Sequence, residues 1–470
     1  MTPPHTLFVI GVKGQRFDSK REILEKEKGI LEGERRQLQA KQDIETKLKK
    51  IEDEIRKIDA ELKKVDDDRL EDLEKYIEPL INTNDIFTEV HLGGNSYSPD
   101  ACRKLGLLLR KQKNLETIRL DDLFTGRLLS EIPTALYSLL RPLLDVHTLQ
   151  TVDLSDNAFG VNTKDPLVEF LRAHLPLRHL ILNNNGLGPE AARSNPGIKY
   201  EIPALETIVC GRNRLEAGSM EAWARAIKAN GKGLRTIRMK QNGIYSKGVV
   251  KLLNTGICHA PELEVFDLED NTYGKDGSVA LAAVLSGLPS LRELGVDDCA
   301  LTAKGWLRVA KALSAGGNTK LEILKLKGNE INGKGVRALV HAAKTSLPAL
   351  KKVFLNANAF DEDNENIMRL QELLKRRKAR FGKDDEDDAW GLDELDELEG
   401  EEEEEEEEEE VVEEEWEWES VATDTEAEID IRAKAEHILT EADVAENQPV
   451  VQNVDKTVDE LGEKLKSTTI

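Results

Sequence analysis

Apolar side chains recur through the middle of this chain in one fixed frame: an apolar residue, another three on, a third two further, then Asn or Cys three after that. The frame appears at Leu149-Val152-Leu154-Asn157, Leu177-Leu180-Leu182-Asn185, Leu205-Ile208-Cys210-Asn213 and Leu234-Ile237-Met239-Asn242. It continues at Leu263-Phe266-Leu268-Asn271, Leu291-Leu294-Val296-Cys299, Leu321-Leu324-Leu326-Asn329 and Leu350-Val353-Leu355-Asn358, and a further copy opens at Phe87-Val90-Leu92-Asn95. Two apolar residues two apart share one face of a short strand. The Asn that follows turns the chain, because its amide can bond neighbouring backbone groups. Between strands the spacing leaves room for a helix, and Ala280–Leu285 and Val336–Ala343 carry apolar residues at helical spacing.

This is the leucine-rich-repeat signature. No unit can bury its apolar face alone, so the units stack. The expected fold is an α/β solenoid, a ribonuclease-inhibitor-like horseshoe of about ten 28–30-residue repeats spanning 81–380. The Asn ladder (157, 185, 213, 242, 271, 329 and 358) reads as structural.

One repeat breaks the spacing. From Leu115, successive first leucines are 34, 28, 28, 29, 29, 28, 30 and 29 residues apart. The surplus in the Leu115 repeat is Phe124-Thr125-Gly126-Arg127, where function is expected. A second departure is the segment 189–203, whose three prolines leave room for about one helical turn.

Outside the repeats, 1–18 alternates weakly and is expected to supply a capping strand. Residues 19–80 are charged and helical, with an a/d seam at Ile44, Leu48, Ile51, Ile55, Ile58, Leu62 and Val65. That seam serves self-association through 44–65 or packing within the chain. A last helix, 367–380, ends in Lys375-Arg-Arg-Lys-Ala-Arg380. The segment 381–419 is expected to be a disordered acidic tail, and 420–470 a partly helical segment.

Net charge is −24. Between Asp384 and Glu419 lie 25 acidic residues and no Lys or Arg, so the rest of the chain sums to about +1. A near-neutral body with a polyanionic tail argues against nucleic acid as a partner. The four cysteines lack paired spacing, and Cys210 and Cys299 sit in the repeat frame, as buried reduced thiols would. The N-terminal residues lack the basic and apolar regions of a signal peptide, and no stretch has the length of a membrane span; a cytoplasmic or nuclear location follows.

Motifs for independent chemistry are weak. Gly328–Gly335 imitates a phosphate-binding loop but lacks the final Ser/Thr for magnesium and lies in the ordinary repeat frame. His and Cys spacing indicates no metal site and no G-x-S-x-G elbow occurs. What remains is a rim of polar residues at the strand-to-helix turns: Asp121, Asp122 and Arg127; Ser155 and Asp156; Asn183 and Asn184; Arg212 and Arg214; Lys240 and Gln241; Glu269 and Asp270; Asp297 and Asp298. Its mixed signs suit a protein partner.

Asp122-Leu-Phe-Thr-Gly-Arg127-Leu-Leu-Ser-Glu-Ile-Pro133, Leu154-Ser-Asp-Asn-Ala-Phe-Gly160, Asn184-Asn-Gly-Leu-Gly-Pro189 and Cys210-Gly-Arg-Asn-Arg-Leu-Glu216 together resemble the Ran GTPase-activating proteins, as does the acidic tail. The similarity covers about 86–419. It implies an activator of GTP hydrolysis by Ran, acting in the cytoplasm and concentrated around the nucleus, on Ran-GTP with a Ran-binding protein or export complex. GTP and magnesium would belong to the GTPase, and no cofactor of the chain's own is expected. By motif match Asn184 takes the role of positioning Ran's glutamine, Arg127 an interface or loop-anchoring role with a minor catalytic share, and Arg212 and Arg214 contact Ran. The neighbouring rim residues Asp122, Asp156, Asn183, Lys240, Gln241, Asp270 and Asp297 are expected to join that contact.

Two other readings compete: a non-catalytic binding scaffold or inhibitor, and an acidic histone-binding chaperone. The scaffold predicts binding without faster turnover and leaves Phe124–Arg127 unexplained; the chaperone predicts fewer and shorter repeats.

Overall fold

The computed structural model describes residues 7–9, 24–32, 53–58, 77–82, 86–192, 203–382 and 389–399. The chain divides into two compact units, Met1–Glu403 and Glu404–Ile470, and every described residue lies in the first.

Twelve strands among the described residues form one parallel sheet whose spatial order is the chain order. They are β1 (Leu7–Val9), β2 (Glu89–His91), β3 (Thr117–Arg119), β4 (Thr151–Asp153), β5 (His179–Ile181), β6 (Thr207–Val209), β7 (Thr236–Arg238), β8 (Val265–Asp267), β9 (Glu293–Gly295), β10 (Ile323–Lys325), β11 (Lys352–Phe354) and β12 (Gly391–Leu392). Each strand is brief because only the x-L-x centre of the frame is extended. The central apolar residues pair in register, Ile118 with Val152 and Val152 with Leu180, so their side chains stack on one side of the sheet. A parallel strand pair needs a crossover, and here each crossover carries a helix.

Those helices include Pro99–Leu109, Ile132–Leu143, Lys164–Ala173, Met220–Asn230, Gly274–Leu285, Ala303–Ser314, Gly333–Thr345 and Glu365–Phe381. Side-chain oxygens of Ser98, Thr302, Asn332 and Asn364 cap four of them, satisfying amides that a helix leaves unpaired. Sheet and helices enclose one continuous apolar core running from Ile77 to Leu374. Packing across the outer layer is close: a Cβ added at Gly106 would come within 2.5 Å of the Ser138 carbonyl on the neighbouring helix. Among the described residues the proline-rich crossover carries the short helix Gly188–Ala192; 193–202 lie outside the described residues.

Both ends of the sheet are extended by strands from outside the expected repeat region. At the N-terminal end β1 pairs with β2. At the other end Gly391–Leu392 pairs with β11, which corrects the expectation that 381–419 is a tail throughout. Leu392, Leu395 and Leu398 pack against the core. Asp393 accepts from the Leu355 amide at 2.7 Å and the Asn356 amide at 3.2 Å, while Asp396 accepts from the Asn356 side chain at 2.7 Å. These carboxylates take up donors that the last repeat would otherwise expose, which is why an acidic stretch folds here. Of the expected a/d seam, only Ile55 and Ile58 fall among the described residues, in the helical stretch 53–58, and both are half-buried; the rest of 44–65 lies outside them.

Candidate partner-binding rim

The chain leaves each strand through the same turn. The residue before the ladder position has positive φ in repeat after repeat: Asp122 (48°), Asp156 (61°), Asn184 (52°), Arg212 (55°), Gln241 (50°), Asp270 (56°) and Asp298 (50°). Asp and Asn tolerate this left-handed region; Arg and Gln do so only where the surroundings impose it. The imposition is visible. Each of these residues donates its backbone N–H to the next repeat, as Asp156 does to the Asn183 carbonyl (2.9 Å), Asn184 to Gly211 (2.8 Å) and Arg212 to Lys240 (2.9 Å).

Beneath this file runs the asparagine ladder. Asn185 accepts from the Asn157 amide at 3.0 Å, Asn213 from Asn185 at 3.1 Å and Asn242 from Asn213 at 2.8 Å. Their Nδ2 groups donate to carbonyls of their own and the preceding turn, for example Asn157 to Leu120 (2.7 Å) and Leu154 (2.8 Å). At the Cys299 position the thiol takes over the donor role, toward Leu268 (3.3 Å) and Asp297 (3.2 Å) carbonyls. With one face bound in this way, the side chains of the αL file are held outward at a regular spacing.

Asp156, Asn184, Arg212, Arg214, Gln241 and Asp270 are exposed along the rim. Asn184 Nδ2 donates to Asp156 Oδ1 at 2.8 Å, linking two adjacent repeats. Asn183 is half-buried and accepts from the Gly211 amide at 2.8 Å, while its own amide donates to Ser155 Oγ at 3.2 Å. Asp122 is half-buried and accepts from the Thr125 hydroxyl. The extra loop is thereby joined to the αL file.

Three expected rim residues, Arg127, Ser155 and Asp297, are buried rather than on the rim surface. Arg127 turns inward: its side chain is 1% exposed, with Nη1 3.8 Å from Glu131. It lies close enough to the buried Cys102 for its charge to oppose the rise that burial imposes on that thiol, which still reaches about 12. Phe124 is buried too, bridged to Ser96 and tilted against Phe159 at 6.3 Å. The surplus residues therefore form a pinned loop, with Leu128 and Leu129 exposed beside the anchor. Asp297 is likewise buried, at 8% exposure, and accepts from the Lys327 amide at 2.8 Å. Burial pushes its carboxyl up to about 7, with Glu269 and Asp267 adding to the rise. It acts as a turn acceptor, a role that the charge of its side chain obscured in the sequence.

Lys240 is half-buried and drawn into an ion-pair network on the strands. It meets Asp267 at 3.2 Å and also Glu269, while Arg238 bonds Asp267 (2.9 Å) and Glu293 (2.8 Å). Lys325 completes the group at 2.5 Å from Glu293. Burial alone would raise the Glu293 carboxyl, but hydrogen bonds from Arg238 and Lys325 hold it below its ordinary value. Sequence reading missed this network because its members are spaced by whole repeats. Tyr245, exposed at the start of a helix on the rim side, was also missed. Among the described residues no group of His, Cys, Asp and Glu could hold a metal ion, and no helix is long and apolar enough to cross a membrane.

Residues 317–340 match the family model described as Leucine Rich repeat. The chain is 34% identical over 317 residues to Ran GTPase-activating protein 1 of Saccharomyces cerevisiae, covering 64% of this chain and 78% of that one. It is 32% identical over 292 residues to the Ran GTPase-activating protein of Drosophila melanogaster, covering 59% and 48% respectively. With Ran GTPase-activating protein 2 of Caenorhabditis elegans it shares 39% identity over 167 residues, 33% of this chain and 17% of the relative. With the repeat fold, the continuous rim and this extent of similarity together, the chain belongs to the Ran GTPase-activating protein family.

Proposed function

We propose that this chain accelerates GTP hydrolysis by Ran by supplying Asn184 in trans to the GTPase's own catalytic machinery. In the general scheme a glutamine of the GTPase orients the attacking water, and activators often add an arginine to offset transition-state charge. The observation that carries the reading is the placement of Asn184. It is an exposed carboxamide on a backbone fixed at φ 52°, in a rim of fixed spacing. A neutral carboxamide can hold a glutamine side chain by hydrogen bonds but cannot neutralise charge, so its contribution is orientation. Arg127 then anchors the loop that carries the adjoining surface.

On this reading Asp122, Asn183, Arg212, Arg214, Gln241 and Asp270 form the surface that receives Ran-GTP, Asp156 stands beside Asn184 and bonds its carboxamide, Lys240 contributes from its network, and Asp297 supports the turn behind it. GTP and magnesium come with the GTPase, and the chain contributes no covalent chemistry. We place its action in the cytoplasm, on Ran-GTP alone or with a Ran-binding protein. The test is single-turnover GTP hydrolysis by Ran against increasing concentrations of the chain. Saturable acceleration supports the reading. Binding of Ran-GTP without acceleration would replace it with the scaffold reading.

A further inference from the structure

Asn184 and Asp156 occupy the same turn position in successive repeats, both at positive φ, with Asn184 Nδ2 2.8 Å from Asp156 Oδ1. A carboxylate carries no proton to donate, so the end of the amide that faces it must be the NH2. The usual ambiguity between amide oxygen and nitrogen is thus settled by chemistry. One carboxamide hydrogen is committed along the rim, which turns Oδ1 of this exposed side chain away from Asp156 as an acceptor. The rigidity comes from below: the Asp156 amide is bound to the Asn183 carbonyl at 2.9 Å and the Asn184 amide to Gly211 at 2.8 Å.

We infer that Asp156 is a positioning residue that sets Asn184 acceptor-outward. This rests on the activating role proposed above and specifies how it works. A glutamine side chain approaching Asn184 would then meet it through its own Nε2–H, which directs its Oε1 the other way. That oxygen is the atom able to accept a hydrogen bond from the attacking water. Without Asp156 the Asn184 amide can rotate, and half its orientations present NH2, which turns the glutamine's acceptor away from the water. Asp156 thus acts on the rate of the bound complex and little on its formation. A charge contact between Asp156 and a basic partner surface makes the opposite forecast, acting on association and fading with salt.

The experiment is single-turnover GTP hydrolysis by Ran with the full chain, yielding a saturating rate and a half-saturating concentration for each variant. Asp156→Ala is expected to lower the saturating rate about tenfold with the half-saturating concentration within about twofold, the size of a lost orienting hydrogen bond. Asp156→Asn retains an acceptor and is expected to recover most of that loss. Asp156→Lys substitutes a donor, draws Oδ1 toward itself and should fall as low as Asn184→Ala. Adding Asp156→Ala to Asn184→Ala should cost little more, because residues acting as one unit are not additive. Asp156 is exposed but sits at φ 61°, where Ala and Lys are strained and Asn is not. A modest drop in denaturation midpoint is therefore expected for Asp156→Ala and Asp156→Lys, and rates are compared at a temperature where every variant is folded. The inference is overturned if Asp156→Asn is as impaired as Asp156→Ala, or if the variants change only the half-saturating concentration. An intact chain that accelerates while the Asp156 variants match it removes the positioning role alone; an intact chain that fails to accelerate removes the activating role and this inference with it.

Discussion

The Arg127 guanidinium lies inside the second full repeat, with Nη1 3.8 Å from Glu131 and 1% of the side chain exposed. An arginine placed there holds a loop in position rather than reaching out of it. Arg127 is buried and its partner Glu131 half-buried, so Arg127→Ala, which removes both the charge beside Glu131 and the packing of the side chain, should destabilise the protein by roughly 3 kcal/mol. Arg127→Met, which fills the space but still removes that charge, should recover only the packing share. Chemical denaturation of the three proteins measures it. A surface arginine finger would instead leave stability unchanged on substitution.

The ladder makes a second forecast. Asn213 is fully buried, donates to the Leu182 and Gly211 carbonyls, both at 2.8 Å, and accepts from the Asn185 amide at 3.1 Å. Asn213→Ala leaves all three groups without that partner and should cost about 2–4 kcal/mol. Because Cys299 already serves as a donor at the equivalent place, Asn213→Cys should cost less than Asn213→Ala. Equal costs would show that the amide's donor side contributes little.

Asp297 supplies a pH dependence. Its carboxyl titrates near 7 in the folded chain because burial disfavours the charged form, against an ordinary value near 3.8. Between those pH values the folded state holds a proton that the unfolded state has released, so stability falls as pH rises through this window and levels off above about 7. Asn in this place keeps the acceptor for the Lys327 amide and carries no charge. Asp297→Asn should therefore match the parent at pH 4 and exceed it at pH 8, by roughly 2 kcal/mol or more. Denaturation midpoints at the two pH values measure this, and a constant difference would remove the titration from the account.

Much of the fold was legible because its information is local: two apolar residues two apart and an Asn three later define strand, turn and stacking face together. The rim was legible for the same reason, since Asp156, Asn184 and Arg212 hold one position in that frame. What escaped depends on neighbours a whole repeat away. Arg127 and Asp297 carry charges that suggest solvent, yet Glu131 and the Lys327 amide receive them inside. Gly391–Leu392 was hidden by its acidic surroundings, because Asp393 is useful only where the Leu355 and Asn356 amides stand unpaired.

The most direct test of the central claim is the saturating single-turnover rate of GTP hydrolysis by Ran with the intact chain, Asn184→Ala and Arg127→Ala. We expect the intact chain to accelerate hydrolysis strongly and Asn184→Ala to lose more than about a hundredfold of that rate, as for an orienting group lost at a reacting centre. Arg127→Ala, measured at a temperature where it stays folded, should lose far less. A loss concentrated in Arg127→Ala, with Asn184→Ala close to the intact chain, would contradict the account.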